Sequence, residues 1–202
     1  MQPQGFERVE LGEGHALFVG RLPSELGFSG ARFEELWSLH PERFHELTFF
    51  GKRVAAPRWS QAYGRDYRYS GGVHAAVPVP ARLAPLLEWG RSAIDTRLDG
   101  VLVNWYDREL GHYIGKHRDS TLGLVRGAPI VTISCGDRRV FRLRPWRGSG
   151  RIDLEAEDGA VFVMPFDTNR AWMHEIRGER RAPGRRVSVT LRAFLPAGAE
   201  GR

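Results

Sequence analysis

The sequence predicts one mostly β domain with flanking helices and a jelly-roll core. Two patterns and one bound carry that expectation. Residues 101–106, 129–135, 140–143, 152–154, 160–164, 171–176 and 187–194 are short apolar or alternating runs parted by turn residues, the spacing of a two-sheet antiparallel fold. Helical periodicity shows only upstream of them. A chain of 202 residues with 42% hydrophobic content fills one core and requires no second.

Taken in order, residues 15–19 read as an opening strand. Pro23 and Ser24 then start a helix with Ser24 as N-cap, and Phe33, Leu36 and Trp37 recur at helical spacing as core residues. Residues 47–50 and 54–56 are extended, and Pro57 introduces an aromatic flank running from Trp59 to Tyr69. On a strand Tyr67 and Tyr69 share a face, and Gly71-Gly72 closes the segment with a turn. A second helix begins at residues 78–82, carries the stripe Leu83, Leu86, Leu87, Ile94 and Leu98, and ends at Asp99-Gly100. Residues 1–98 are thus an N-terminal extension with buttressing helices, 99–196 the jelly roll, and the tail after Pro196 frayed.

Composition bounds the setting. No run of eighteen apolar residues exists, and residues 1–8 lack the basic-then-apolar layout of a secretory leader, so the expectation is a soluble intracellular protein with no membrane span. The single cysteine, Cys135, is a core residue and forms no internal disulfide. A net charge of +6 suits a polyanionic partner. It suits a skewed base composition equally, since Lys52 and Lys116 are the only lysines. Two arginine clusters are candidates to track phosphates: Arg138, Arg139, Arg142, Arg144, Arg147 and Arg151 on one hairpin, and Arg177, Arg180, Arg181 and Arg185 on a loop.

The chemistry centres on residues 104–119. His117 and Asp119 stand two apart on an extended segment, and His174 arrives from a distant strand. Two imidazoles and a carboxylate in this wiring form a facial triad, which holds non-haem Fe(II) and leaves three positions open. A lone His-x-Asp is usually only solvated, so the context decides. Downstream, Arg186, Ser188, Thr190 and Arg192 alternate with Val187, Val189 and Leu191. If the polar face looks inward it needs an anion, and a dicarboxylate suits paired guanidinium and hydroxyl donors; the alternative is a half-exposed strand with solvated arginines. His112 has the wrong spacing for a ligand and reads as a solvated loop residue. His15, His40, His45 and His74 lack partners in the sequence and read as structural.

Together, Asn104-x-Tyr106, His117-x-Asp119, His174 and the alternating Arg186 to Arg192 strand resemble the AlkB family of Fe(II)- and 2-oxoglutarate-dependent dioxygenases, nearest its DNA-repair members. Residues 99–144 match in order and spacing. Pro57, Arg58, Tyr63, Gly64 and residues 67–71 look like that family's substrate-side elements, so the likeness runs over 57–194. It implies a double-stranded β-helix core with Fe(II), 2-oxoglutarate and O2, oxidatively demethylating N-alkylated bases of DNA or RNA with release of formaldehyde, succinate and CO2. In that frame Arg186 takes the distal cosubstrate carboxylate with Ser188, Tyr106 and Asn104, and Arg192 serves the carboxylate beside the iron. Tyr67, Tyr69, Arg118 and Thr121 fall on the substrate side, Tyr69 and His117 sandwiching a flipped base.

Two positions depart from the family. Thr121 stands where repair members carry an acid two residues after the iron-binding Asp, and Ser188 where some carry Asn. The first leaves a protein or small-molecule substrate open for the same iron site. A third reading is a nucleic-acid-binding protein with a vestigial metal site, which the intact ligand set disfavours. A monomer is expected.

Overall fold

The structure is a computed structural model that describes residues 2–49, 52–69, 72–178 and 184–196. The chain opens with the hairpin β1 (Glu7–Gly12) and β2 (His15–Arg21), followed by helix α1 (Ala31–Trp37) and the hairpin β3 (Glu46–Phe49) and β4 (Lys52–Ala55). Next come β5 (Trp59–Tyr63), the small hairpin β6 (Tyr67–Tyr69) and β7 (Gly72–His74), β8 (Ala76–Val77) and helix α2 (Ala84–Ala93). The second half is β9 (Gly100–Asp107), β10 (Ile114–His117), β11 (Ile130–Gly136), β12 (Arg139–Pro145), β13 (Ile152–Ala156) and β14 (Ala160–Met164). A short helix α3 (Phe166–Ala171) then leads into β15 (Trp172–Ile176) and β16 (Arg185–Arg192).

An eight-stranded sheet, ordered β1-β2-β14-β11-β16-β9-β5-β8, faces a four-stranded sheet ordered β10-β15-β12-β13. This is the mostly β jelly roll that the spacing of apolar runs predicts. Both faces of the large sheet are covered: β14 is apolar on both sides, while β9, β11 and β16 are apolar toward the helices and carry polar residues toward the small sheet. One face, with Val103, Trp105, Val187 and Val189, packs on the helices through Leu36, Leu83 and Leu86. The other, with Leu17, Phe162 and Met164, meets Phe141, Leu143 and Ile176 of the small sheet. Trp105 Nε1 donates to the Leu36 carbonyl at 3.0 Å and ties α1 to the sheet.

Several elements differ from the sequence expectation. Ser24 caps no long helix: it begins a three-residue 3-10 turn, and α1 starts only after Gly30, whose φ of 53° breaks the backbone. The second helix is Ala84–Ala93 alone, because Ile94 leaves helical geometry and Leu98 is buried from a turn. Strand β1 and helix α3 stand where no element is expected, and α3 takes only Ala171, the first residue of the run read as strand. Among the described residues no helix is long and apolar enough to cross a membrane. Phe50, Gly71 and the tail beyond Pro196 lie outside the described residues.

Gly136 sits at a tight seam between the large sheet and α1. Its φ is 83°, and a Cβ there would stand 2.6 Å from the Arg185 carbonyl and against the Phe33 ring. A left-handed conformation and a backbone clash each cost a side chain a few kcal/mol. Gly136→Ala is therefore expected to destabilise the fold by about 3 kcal/mol, read as a lower urea midpoint; an unchanged midpoint would contradict this packing.

Candidate active site

Two strands of the large sheet carry their polar motifs in register. Arg186 pairs with Tyr106, Ser188 with Asn104, and Thr190 with Leu102. Because side chains alternate along a strand, Arg186, Ser188, Thr190 and Arg192 line one cavity of about 890 Å³ between the sheets. Val187, Val189 and Leu191 enter the helix-side core instead. Asn104 and Tyr106 line the same cavity from β9.

The metal-ligating types gather at the opposite wall. Ile114 of β10 pairs with Ile176 of β15, and an unbroken ladder would then set Lys116 opposite His174. A bulge between Ile114 and His117 inserts one residue and sets His117 there instead. The two imidazole centroids are 4.3 Å apart. Asp119 is fixed through its backbone by buried Asn169: its N–H donates to Asn169 Oδ1 at 2.9 Å, and Asn169 Nδ2 donates to its carbonyl at 3.0 Å. His117 Nε2 then lies 3.5 Å, and His174 Nε2 3.8 Å, from Asp119 Oδ1. Metal bonds of about 2.1 Å set neighbouring donors about 3 Å apart, so a slight contraction closes the three on one ion. They are the only such trio among the described residues, all donor atoms within 4.8 Å of one another.

Protonation suits the same role. His117 Nδ1 is 2.8 Å from the Gly115 carbonyl; an Nδ1–H donating there leaves the Nε2 lone pair free. Burial is the largest influence on Asp119 and acts to raise its pKa. The Arg192 guanidinium, donating to Oδ2 at 2.6 Å, and the two histidines outweigh it and hold the carboxyl well below its usual range. Burial, then neighbouring His117, pushes His174 down to about 3. A carboxylate and neutral imidazoles are the metal-binding forms.

The floor of the cavity holds unanswered donors. Arg186 is buried with Nε donating to Ser134 Oγ at 2.9 Å, yet its Nη1 and Nη2 have no hydrogen-bond partner among the described residues. Arg192 Nε and Nη1 are likewise unpartnered. Burial lowers the Arg186 pKa, the mark of a cation taken out of water without a counter-charge. Buried donors of this kind call for an anion. A dicarboxylate with one end on Arg186 and the other beside the triad satisfies both, so the residues fit Fe(II) and 2-oxoglutarate together.

Toward the mouth, Tyr67, Tyr69, Arg118 and Thr121 all line the cavity. Tyr67 is buried, its hydroxyl accepting the Ser120 N–H at 3.1 Å and the Arg192 guanidinium lying over its ring. Tyr69 is half-buried, with its hydroxyl bonded to His45 Nε2. Arg118 is exposed, stacked 4.0 Å over Trp146, and donates to the Arg170 carbonyl.

Some histidines and arginines behave otherwise than the sequence predicts. His112 is no solvated loop residue: it is buried, its Nδ1 accepts the Asp107 N–H at 3.1 Å, and its ring meets Trp59 edge-on. It stands outside the triad. His45 and His74 do have partners, stacked with centroids 3.4 Å apart at the cavity wall. Most of the hairpin arginines are spent internally. Arg142 grips Asp153 with two bonds of 2.6 Å, Arg139 bonds the His112 carbonyl, Arg138 pairs with Glu155 and Arg144 with Glu175. Arg185 pairs with Glu34; Arg180 and Arg181 lie outside the described residues. The clamp residue Asn169 carries no signal in the sequence because it acts on backbone groups, and Arg58, only a motif letter in the sequence, bonds Asn104 Oδ1 through its Nε at 2.8 Å.

Compared with known proteins, residues 38–192 match the model of a family described as the 2OG-Fe(II) oxygenase superfamily. No curated protein matches the chain.

His174 sets a pH signature in the metal-free protein. Folded, it stays neutral down to about 3, whereas in the unfolded chain it takes a proton below its ordinary value of 6.5. The unfolded state thus binds more protons between those values, and stability falls as pH falls through that window. Between pH 7 and pH 5 the metal-free wild type is expected to lose about 2 kcal/mol more than His174→Asn, measured by urea unfolding. Parallel losses in the two proteins would contradict the neutral assignment.

Proposed function

This chain belongs to the 2OG-Fe(II) oxygenase superfamily, and from that premise we propose that it oxidatively demethylates N-alkylated bases in nucleic acid. When bound, Fe(II) with 2-oxoglutarate and O2 supplies a two-electron oxidation of a C–H bond, 2-oxoglutarate leaving as succinate and CO2. His117, Asp119 and His174 would hold the metal on one face. Arg192 keeps Asp119 ionised and occupies Oδ2, so that Oδ1 is the oxygen offered to the ion. Arg186 would take the far carboxylate, with Tyr106, Ser188 and Asn104 around it. Phe141 and Ile176 form the apolar wall beside His174 and limit water there.

The observation that carries the substrate class is the wall above the triad. Flat side chains, Tyr69, His74 and Trp146, line the cavity together with the exposed cations Lys116, Arg118 and Arg170. Rings can stack a base lifted from its strand, and cations can hold the phosphates on either side. Hydroxylation of an N–CH3 group gives N–CH2OH, which loses formaldehyde and leaves N–H. Nothing on the enzyme need catalyse that second step.

The test is formaldehyde release from oligonucleotides carrying N-methylated bases, with Fe(II), ascorbate and 2-oxoglutarate. The expected result is turnover in the wild type, loss of at least 100-fold in His174→Ala with oligonucleotide affinity retained, and binding that weakens steeply with salt. Succinate formed without formaldehyde from any such oligonucleotide would send the substrate to proteins or small molecules.

A further inference from the structure

We infer that the cavity selects N-methylated bases of the lactam type, which are neutral, over bases that methylation turns into cations, and that Arg58 is the residue that decides. The inference rests on the nucleobase reading above and deepens it. It begins with a charge count. Among the described residues lining the cavity, Asp119 is the only carboxylate, and its oxygens are engaged by Arg192 on one side and the two histidines on the other. Of the cations lining the cavity, Lys116, Arg118 and Arg170 are exposed and would meet phosphates, Arg192 is answered by Asp119 and Arg186 by the cosubstrate carboxylate, which leaves Arg58 to face the base.

Arg58 sits half-buried in the cavity wall. Its Nε donates to Asn104 Oδ1 at 2.8 Å, which fixes the plane of the guanidinium, and no carboxylate among the described residues pairs with it. Its surroundings are aromatic and uncharged. His45 and His74 are stacked beside Tyr69, and His74 is pushed down to about 3, by burial first, then by His45 and the charge of Arg58. Glu46, the acid next to His45, is exposed and paired with Arg53 instead of facing the cavity. A cationic substrate entering here meets fixed positive charge and finds no free carboxylate among the described residues.

The chemistry of the bases supplies the contrast. Adenine N1 and cytosine N3 carry a lone pair, so a methyl group added there leaves a cation at neutral pH. Guanine N1 and thymine or uracil N3 carry a lactam hydrogen that the methyl group replaces, and the base stays neutral with a carbonyl oxygen beside the methylated nitrogen. A guanidinium of fixed plane donates to such an oxygen. Two unit charges about 5 Å apart in a half-buried site repel enough to change affinity on the order of 100-fold. In the reaction base N–CH3, O2 and 2-oxoglutarate give base N–CH2OH, succinate and CO2. The hydroxymethyl then leaves as formaldehyde, its hydroxyl hydrogen passing to the ring nitrogen and restoring the lactam.

The experiment compares four oligonucleotides identical but for one base, pairing 3-methylthymine with 3-methylcytosine and 1-methylguanine with 1-methyladenine. Formaldehyde release gives kcat/KM, and fluorescence anisotropy with the metal-free protein gives affinity apart from turnover. The neutral member of each pair is expected to lead at least tenfold in both readouts. Arg58→Gln should bring the ratio toward one, and Thr121→Glu, which adds a carboxylate to the same wall, should turn it toward the cations. The KM for 2-oxoglutarate in Arg58→Gln separates a substrate effect from damage to Asn104. A preference for the cationic members, or ratios that neither variant moves, overturns the inference while base demethylation stands. Turnover of none of the four overturns the nucleobase reading and this inference with it.

Discussion

A guanidinium taken out of water needs a counter-charge, and the seam between these two sheets buries Arg186 and Arg192 where Asp119 is the only carboxylate among the described residues lining the cavity. Burying an ion without a partner costs several kcal/mol, a cost that the rest of the fold carries until an anion enters the cavity. Arg192 is answered by Asp119 Oδ2. Arg186 donates from Nε to the Ser134 hydroxyl and lies over the Tyr106 ring, and its two terminal nitrogens have no hydrogen-bond partner among the described residues. In the proposed function the cosubstrate carboxylate would supply the missing half of that pair, and a metal at Oδ1 the missing half of Asp119. Each ligand thus relieves a charge that the fold has already desolvated, and holding those charges in place leaves little reorganisation at the moment of reaction.

What turns this electrostatic frame into a metal centre is backbone geometry on the facing sheet. One extra residue in β10 rotates His117 into line with His174, and the Asn169 clamp on the Asp119 backbone stops the chain as it leaves the strand. The helix that supplies Asn169 is itself anchored by Thr168 Oγ1 to the Ala16 carbonyl of β2 at 3.0 Å. The N-terminal hairpin therefore reaches the metal position through three hydrogen bonds and one short helix. Sites built on strands and clamped through the main chain hold their ligands closely.

How much of this is legible in the sequence follows from the period of each signal. Residues 185–192 alternate without interruption, so their two faces can be read directly, and the strand lies in the large sheet with Arg186 and Arg192 inward. His117, Asp119 and His174 can be picked out because ligand chemistry restricts the residue types. The bulge cannot be read, because nothing in Ile114, Gly115 or Lys116 marks which residue is extra. Asn169 is equally silent, since a side chain that bonds backbone groups carries no pattern of its own. Charge misleads for a different reason. Arg139 and Arg142 are counted as surface cations until the pairing of β12 with β13 and β15 brings Asp153 to Arg142 and the Arg177 carbonyl to Arg139. Long-range pairing decides their fate, and one-dimensional clustering does not contain it.

The central claim, that Arg186 is a buried cation awaiting a carboxylate, is most directly tested by calorimetric titration of 2-oxoglutarate into the anaerobic Fe(II) protein and into Arg186→Met. Truncating one partner of a buried charged pair costs about 2–5 kcal/mol, so the variant is expected to bind at least 30-fold more weakly while its metal content is unchanged. An affinity equal to that of the wild type would mean that the carboxylate lies elsewhere, and the account of the cavity floor would fail.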